Sequence, residues 1–348
     1  MRRRFNGFMP LSGRTPRSRS RDHMQATVGQ VVKSGVAWAG WRIPSPTVGN
    51  PVILLYHGTP RKSPAGRLDE SSFARQIQFL KRHFELIAPS DFGAQRSGGR
   101  TRVLLTFDDG FRNNFEVARP ILCEHDAPAM FFVSSRHSQP GKYLWFAYLR
   151  ALEDFYPEPA VTFRGSTFSL RGEARRPSIE RLKNILLTLR PHPTAMYEAI
   201  ENELPALEDW MTPEQINDSC AGMDAGQVCD LAQDPLFTVG GHTTDHPFLG
   251  RCTEVEMRRQ IDENKSWLER ASGHTITEFA YPSGDYDSSV ISACKEFGFG
   301  RGYAVIPAAR PAGSYELGRI GVYSTSLDVV GFLVRWGSVL RALRVPMG

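Results

Sequence analysis

The sequence predicts an α/β fold built on a mostly parallel sheet or barrel. Two observations carry this: short apolar runs rich in branched residues recur from Pro51 onward, and amphipathic helical patterns alternate with them.

Val52 to Tyr56 (VILLY) reads as the first strand. Phe73, Ile77, Leu80 and Phe84 then repeat at helical spacing behind Ser71 and Ser72, which suit an amino-terminal cap. A strand near Glu85 to Ala88 follows. Arg102 to Phe107 (RVLLTF) alternates little, as a strand buried on both faces does, and its carboxyl end delivers Asp108 and Asp109 into a loop. Asn114 to His125 fits a helix and Ala129 to Val133 (AMFFV) a strand. Between Ser134 and Asp234 the pattern breaks into aromatic, proline and charged clusters around one helix, Ser178 to Leu189, so about 135–234 reads as a largely helical insertion. Its Tyr143, Trp145, Phe146 and Tyr148 suit a local core better than a sugar-stacking surface.

Regular order returns with a helix near Asp224 to Gln233 and a strand at Phe237 to Gly240. The capping box Thr253-x-x-Glu256 opens a helix with Met257, Ile261 and Leu268 on one face. Phe279 to Tyr281, Tyr303 to Ile306 and Ile320 to Tyr323 are further strands, with a helix from Ser288 to Phe297 that Gly298 terminates. Three segments result: a leader, 1–47; a main domain with its insertion, 48–325; and a carboxy-terminal helix, 326–348.

The net charge of +5 is concentrated at the amino terminus, where seven arginines face one aspartate within the first 22 residues. The rest is close to neutral, which argues against nucleic-acid binding by the folded body. The leader reads as a solvated, disordered tail, or as sequence upstream of a start at Met24; weak contact with an anionic membrane surface is the alternative. No run approaches a membrane span, and Val31 to Gly40 carries Lys33, which weakens it as a secretory core. The cytoplasm, its membrane periphery included, is the default location and export the alternative. Five scattered cysteines without a CxxC pair read as reduced thiols.

Two stretches more than a hundred residues apart carry the chemistry. Thr106-Phe107-Asp108-Asp109-Gly110 ends one apolar run, and His242-Thr243-Thr244-Asp245-His246 follows another. Singly each is weak; an Asp-Asp-Gly makes ordinary turns. Together they supply the mixed nitrogen and oxygen donors that zinc accepts, and three protein ligands leave a position for water. One carboxylate is needed on the ion and one beside it, so Asp109 is read as the ligand with His242 and His246, and Asp108 as the base.

These motifs resemble those of the polysaccharide deacetylases, the NodB-type family of carbohydrate esterases. Its TFDDG motif matches Thr106 to Gly110, and its H-[S/T]-x-x-H motif matches His242 to His246. The resemblance implies a distorted (β/α) barrel of seven strands, circularly permuted, and the same roles for Asp108, Asp109, His242 and His246. It also implies a divalent cation, most simply Zn2+ with Co2+, Ni2+ or Fe2+ as alternatives, and an N-acetylated glycan as substrate. Two departures stand out. The third motif, often R-x-x-P-Y-G, is here Phe279-Ala280-Tyr281-Pro282-Ser283-Gly284, so the Ser283 amide takes the place of the oxyanion donor and the arginine is missing. The usual L-x-H acid is absent too, since no histidine follows His274. Leu54-Leu55-Tyr56-His57 resembles the amino-terminal Tyr-His motif of a subgroup that includes poly-N-acetylglucosamine deacetylases, which makes His57 the acid. Arg319 either orients Asp108 or is structural, with structural preferred. The implied reaction is removal of N-acetyl groups from an amino-sugar glycan; a deformylase or other amidase on a lipid-linked amino sugar and a non-catalytic carbohydrate-binding homologue are the alternatives.

Overall fold

Seven parallel strands close into a barrel: β1 (Val52–Tyr56), β2 (Arg102–Phe107), β3 (Ala129–Val133), β4 (Phe237–Gly241), β5 (Glu278–Ala280), β6 (Arg301–Ala304) and β7 (Leu317–Gly321). They follow one another round the barrel in chain order, and β1 completes the ring by pairing with both β7 and β2. The ring is uneven, because β4 and β5 meet only at Gly241↔Phe279. A short strand, Glu85–Leu86, lies against the start of β2. The structure is a computed structural model and describes residues 40–43, 51–63, 67–92, 94, 99–305 and 313–342. The basic leader up to residue 39, with Met24 and nearly all of Val31 to Gly40, falls outside the described residues, as does Ile306.

Strand alternation sorts the barrel residues into two sets. Ile53, Leu104, Met130, Phe132, Ala280 and Tyr303 gather in a cluster that contains no helix residue, which makes it the barrel interior. Leu54, Tyr56, Leu105, Phe107, Phe131 and Val239 instead pack with Phe73, Ile77, Leu80 and Ile261 from the surrounding helices. Burial on both faces explains why these strands read as continuous apolar runs. Thr106 and Arg319 stand two residues from Leu104 and Leu317 and so share the inward set, although both are polar.

The helices are α1 (Glu70–His83), α2 (Arg119–Glu124), α3 (Trp145–Phe155), α4 (Arg175–Leu186), α5 (Pro193–Glu203), α6 (Pro213–Ser219), α7 (Ala225–Gln233), α8 (Glu254–Ser272), α9 (Ser288–Glu296) and α10 (Leu327–Ala342). The cap of α1 is Asp69 rather than Ser71 or Ser72: its carboxylate accepts the Ser72 N–H at 2.9 Å, and Ser72 Oγ accepts the Asp69 N–H. The helix expected from Asn114 begins as a wider π turn over Asn114–Ala118 before α2. Thr253 does cap α8, while the Glu256 carboxylate turns to Arg259 and Gln260. The last strand starts at Leu317 rather than Ile320, because pairing with β6 and β1 holds Gly318 and Arg319 extended against their weak strand preference. Among the described residues no helix is long and apolar enough to cross a membrane, and the five cysteines are unpaired.

A second core forms between β3 and α7. Trp145, Tyr148, Leu152, Phe163, Phe168, Leu182, Tyr197 and Cys220 bury one another, with an antiparallel hairpin of Ala160–Phe163 and Ser166–Ser169. Val228 and Leu231 of α7 belong to the core between barrel and helices. Arg136 joins the two parts: its guanidinium lies 3.6 Å over the Tyr197 ring and 3.1 Å from the Asp245 carboxylate.

Candidate metal centre

Parallel pairing puts every strand's carboxyl end on one rim, and the rim loops carry His57, Asp108, Asp109, His242, His246 and Ser283. After β2 the chain turns sharply, with Asp109 at φ 76° and Gly110 at φ 83°. A Cβ at Gly110 would lie 2.7 Å from Val133 Cγ1, so both conformation and space require glycine there. The left-handed Asp109 is held by its own carbonyl, which accepts the Ser134 N–H at 2.9 Å and faces His137 Nε2 at 2.8 Å. Thr243 (φ 65°) and His246 (φ 50°) bend the second loop in the same way.

Second-loop partners fix the imidazoles. His242 Nδ1 lies 2.8 Å from the Ala280 carbonyl, the only role there being donor, which leaves Nε2 with its lone pair turned inward. The His246 N–H donates to Thr243 Oγ1, and the buried Asp245 binds Arg136 and Gln260 below the loop. Asp109 Oδ1 then stands 3.5 Å from His242 Nε2 and 3.4 Å from His246 Nε2. Adjacent corners of a tetrahedron with ~2 Å bonds are about 3.3 Å apart, so these separations suit ligands of one ion.

Donor satisfaction points the same way. Both Asp109 carboxylate oxygens and His242 Nε2 are buried without a hydrogen-bond partner. A buried carboxylate in that state costs several kcal/mol, on the order of a full desolvation penalty, unless a cation compensates it. The donor atoms of Asp109, His242 and His246 all fall within 4.8 Å of one another, and the residues present fit a divalent cation. Burial raises the Asp109 carboxyl pKa, yet His242, His57 and His246 outweigh it and hold the group below its usual range. Burial also pushes the His246 pKa down to about 4, keeping its imidazole neutral.

Asp108 is built differently. Burial opposes its charge too, but Arg319, then His242 and His57, lower its pKa overall. Arg319 is 1% exposed, donates Nη2 to Asp108 Oδ2 at 2.7 Å, and lies 5.2 Å over the Phe132 ring. Thr106 Oγ1, which donates to the Leu54 carbonyl, sits 3.4 Å from Arg319 Nη1. The preference for a merely structural Arg319 is thereby corrected: it grips the carboxylate beside the candidate metal ligands.

His57 follows β1, half-buried, with its ring stacked 6.0 Å from Tyr323 at 26°. Tyr323 is 43% exposed as a residue, yet burial at its hydroxyl, followed by the Asp108 charge, pushes its pKa up to about 12. Ser283 is exposed, at φ 54°, in the turn Pro282–Gly284 after β5. Sequence reasoning passed over His137 and Asn264, and it read Phe146 as local core rather than as a neighbour of His246. Asn264 takes the His242 N–H at 3.0 Å, and the Phe146 ring stands edge-on to His246 with centroids 4.8 Å apart. The other aromatics read as core do behave so: Trp145 and Tyr148 are buried, and Tyr143 is half-buried with its hydroxyl on Glu208. Nothing in their spacing sets Phe146 apart.

The polysaccharide deacetylase family model matches residues 95–154 and 207–301, passing over much of the second core. No curated protein matches in sequence. The fold is similar to that of the Streptococcus pyogenes deacetylase PplD in complex with acetate, at 18% identity and a TM-score of 0.52, covering 84% of this chain and 99% of that one. It is similar also to IcaB from Ammonifex degensii, at 18% identity and a TM-score of 0.50, covering 82% and 97%. At these identities the likeness is one of fold.

Proposed function

Because the chain belongs to the polysaccharide deacetylase family and is a hydrolase, we propose that it removes N-acetyl groups from an amino-sugar glycan with the help of a divalent cation. The observation that supports this best is the unpartnered Asp109 carboxylate, ringed by two imidazoles and set beside a second carboxylate that an arginine already holds.

Asp109, His242 and His246 are the residues to hold the cation. Zinc suits this donor set, with cobalt, nickel or iron(II) as substitutes, and when bound it acidifies a water and polarises the acyl carbonyl. Asp108 takes the proton of the attacking water; Arg319 keeps it ionised and fixes its plane. The Ser283 N–H is the oxyanion donor in this scheme. His57, steadied against Tyr323, gives its proton to the departing amine. The C–N bond breaks, and acetate and a free amino sugar result.

Mass spectrometry of a glycan panel incubated with zinc-loaded protein tests the reading. Loss of acetyl from amino-sugar oligomers is expected. Loss of formyl alone would make the chain a deformylase, and binding without any product would make it a carbohydrate-binding homologue.

A further inference from the structure

His246 stands in left-handed backbone at φ 50°, a setting that a residue with a side chain keeps only where its surroundings impose it. The peptide unit that enters it is held at both polar ends. Its N–H donates to Thr243 Oγ1 at 3.1 Å, within the loop itself. Its carbonyl, that of Asp245, accepts the Tyr197 hydroxyl at 2.9 Å from α5, 48 residues earlier in the chain.

Tyr197 is 3% exposed and belongs to the second core. Burial pushes its pKa up, so the hydroxyl keeps a proton to donate. As acceptor the same oxygen takes the Trp145 N–H at 3.4 Å, one of the amides left open at the start of α3, and the next residue, Phe146, sets its ring edge-on to His246. One oxygen thus ties the loop to the helix that flanks it. Arg136 steadies the ring: its guanidinium covers one face at 3.6 Å and donates both to Asp245 Oδ1 at 3.1 Å and to Glu201, one turn along α5 from Tyr197. The other polar atoms of Asp245 go to Gln260 of α8, which accepts the Asp245 N–H at 2.8 Å and donates to Oδ2 at 2.6 Å. Every polar group of Asp245 is therefore committed to holding the residue before His246.

We infer that Tyr197 is a positioning residue: through the Asp245–His246 peptide the second core sets the direction of the His246 imidazole, so that the insertion is part of the metal centre. This rests on the reading of Asp109, His242 and His246 as ligands. Being buried, Tyr197 acts through His246 and not on the glycan. Losing a partner that orients a metal ligand lowers affinity by about 10–100-fold.

Tyr197→Phe deletes only the hydroxyl and keeps the ring beneath Arg136. Zinc affinity, measured by competition with a chelator at a temperature where the variant is folded, should fall about tenfold, and the visible absorption bands of the cobalt-substituted protein should shift. Tyr148→Phe is the matched control, because it removes a buried hydroxyl of the same core that donates to the Pro205 carbonyl at 2.7 Å instead. It should lower Tm and leave zinc affinity unchanged. Native affinity or unshifted bands in folded Tyr197→Phe overturn the inference, and so does an equal loss of affinity in Tyr148→Phe. Should Tyr197→Phe fail to fold, the native chain decides, since a loop held by the second core must protect that core in return when the ion binds. Zinc should then slow amide hydrogen exchange in α5 and at the start of α3, and protection confined to the barrel loops overturns the inference. A native protein that binds no zinc at all sinks the ligand reading and this inference with it.

Discussion

Arg319 meets Asp108 through two parallel hydrogen bonds beneath the rim, Nη1 to Oδ1 and Nη2 to Oδ2, the latter at 2.7 Å. Both groups are almost wholly buried. Removing either charge strands the other, which costs about 3–5 kcal/mol. With its pKa depressed, Asp108 contributes stability above the ordinary carboxylate range and loses it as pH falls through the folded pKa. In Arg319→Met burial acts with less opposition, so that pKa rises and the acid limb of the pH–rate profile moves to higher pH. An unmoved limb in a folded variant would separate Arg319 from the reaction.

Asp108→Asn keeps the shape of the side chain and removes the base. Acetate release from N-acetylglucosamine oligomers should fall at least a hundredfold, about the size of a general-base contribution, while zinc stays bound. Turnover at the native rate would reject the assignment of Asp108.

Zinc titration should raise Tm, since an ion that binds only the folded state stabilises it by about 2.7 kcal/mol at a hundred times its Kd. Asp109→Asn should abolish most of that shift. A zinc-dependent melt unaffected by this substitution would place the ion elsewhere.

His57 sits outside the cluster of three donors, next to Tyr323. His57→Ala should slow turnover by about a hundredfold with zinc stoichiometry intact. Metal analysis decides: loss of the ion along with the rate would make His57 a ligand instead.

Gly222 packs against the residue that holds the Asp109 backbone. A Cβ there would lie 2.6 Å from His137 Cδ2 and 2.7 Å from the His137 carbonyl oxygen. Gly222→Ala should therefore cost about 1–3 kcal/mol by overpacking. Displacement of His137 should also loosen the Asp109 carbonyl, so zinc affinity should fall together with Tm. Retained zinc affinity at a lowered Tm would confine the glycine to packing.

The barrel strands were legible because each is buried on two faces, which leaves apolar runs such as VILLY and AMFFV in the chain. The donor triplet was legible for a different reason: Asp109, His242 and His246 sit at loop positions fixed by strand ends, and their side-chain types suit one ion. Where propensity was weak the sequence misled. Gly318 and Arg319 are poor strand formers held extended by their neighbours, so the strand start was missed and with it the meaning of the arginine.

By itself, the amino-acid order determined the alternation of strand and helix, the residue types of the candidate metal donors and the adjacency of two carboxylates, Asp108 and Asp109. Only the folded chain decided that β7 lies beside β1, that Arg319 points inward onto Asp108 from 211 residues away, and that α3 brings Phe146 to the rim. The division has a physical cause. Local periodicity records which face of an element is buried, whereas ring closure and the seating of an insertion depend on contacts between segments far apart in sequence, whose partners leave no periodic trace.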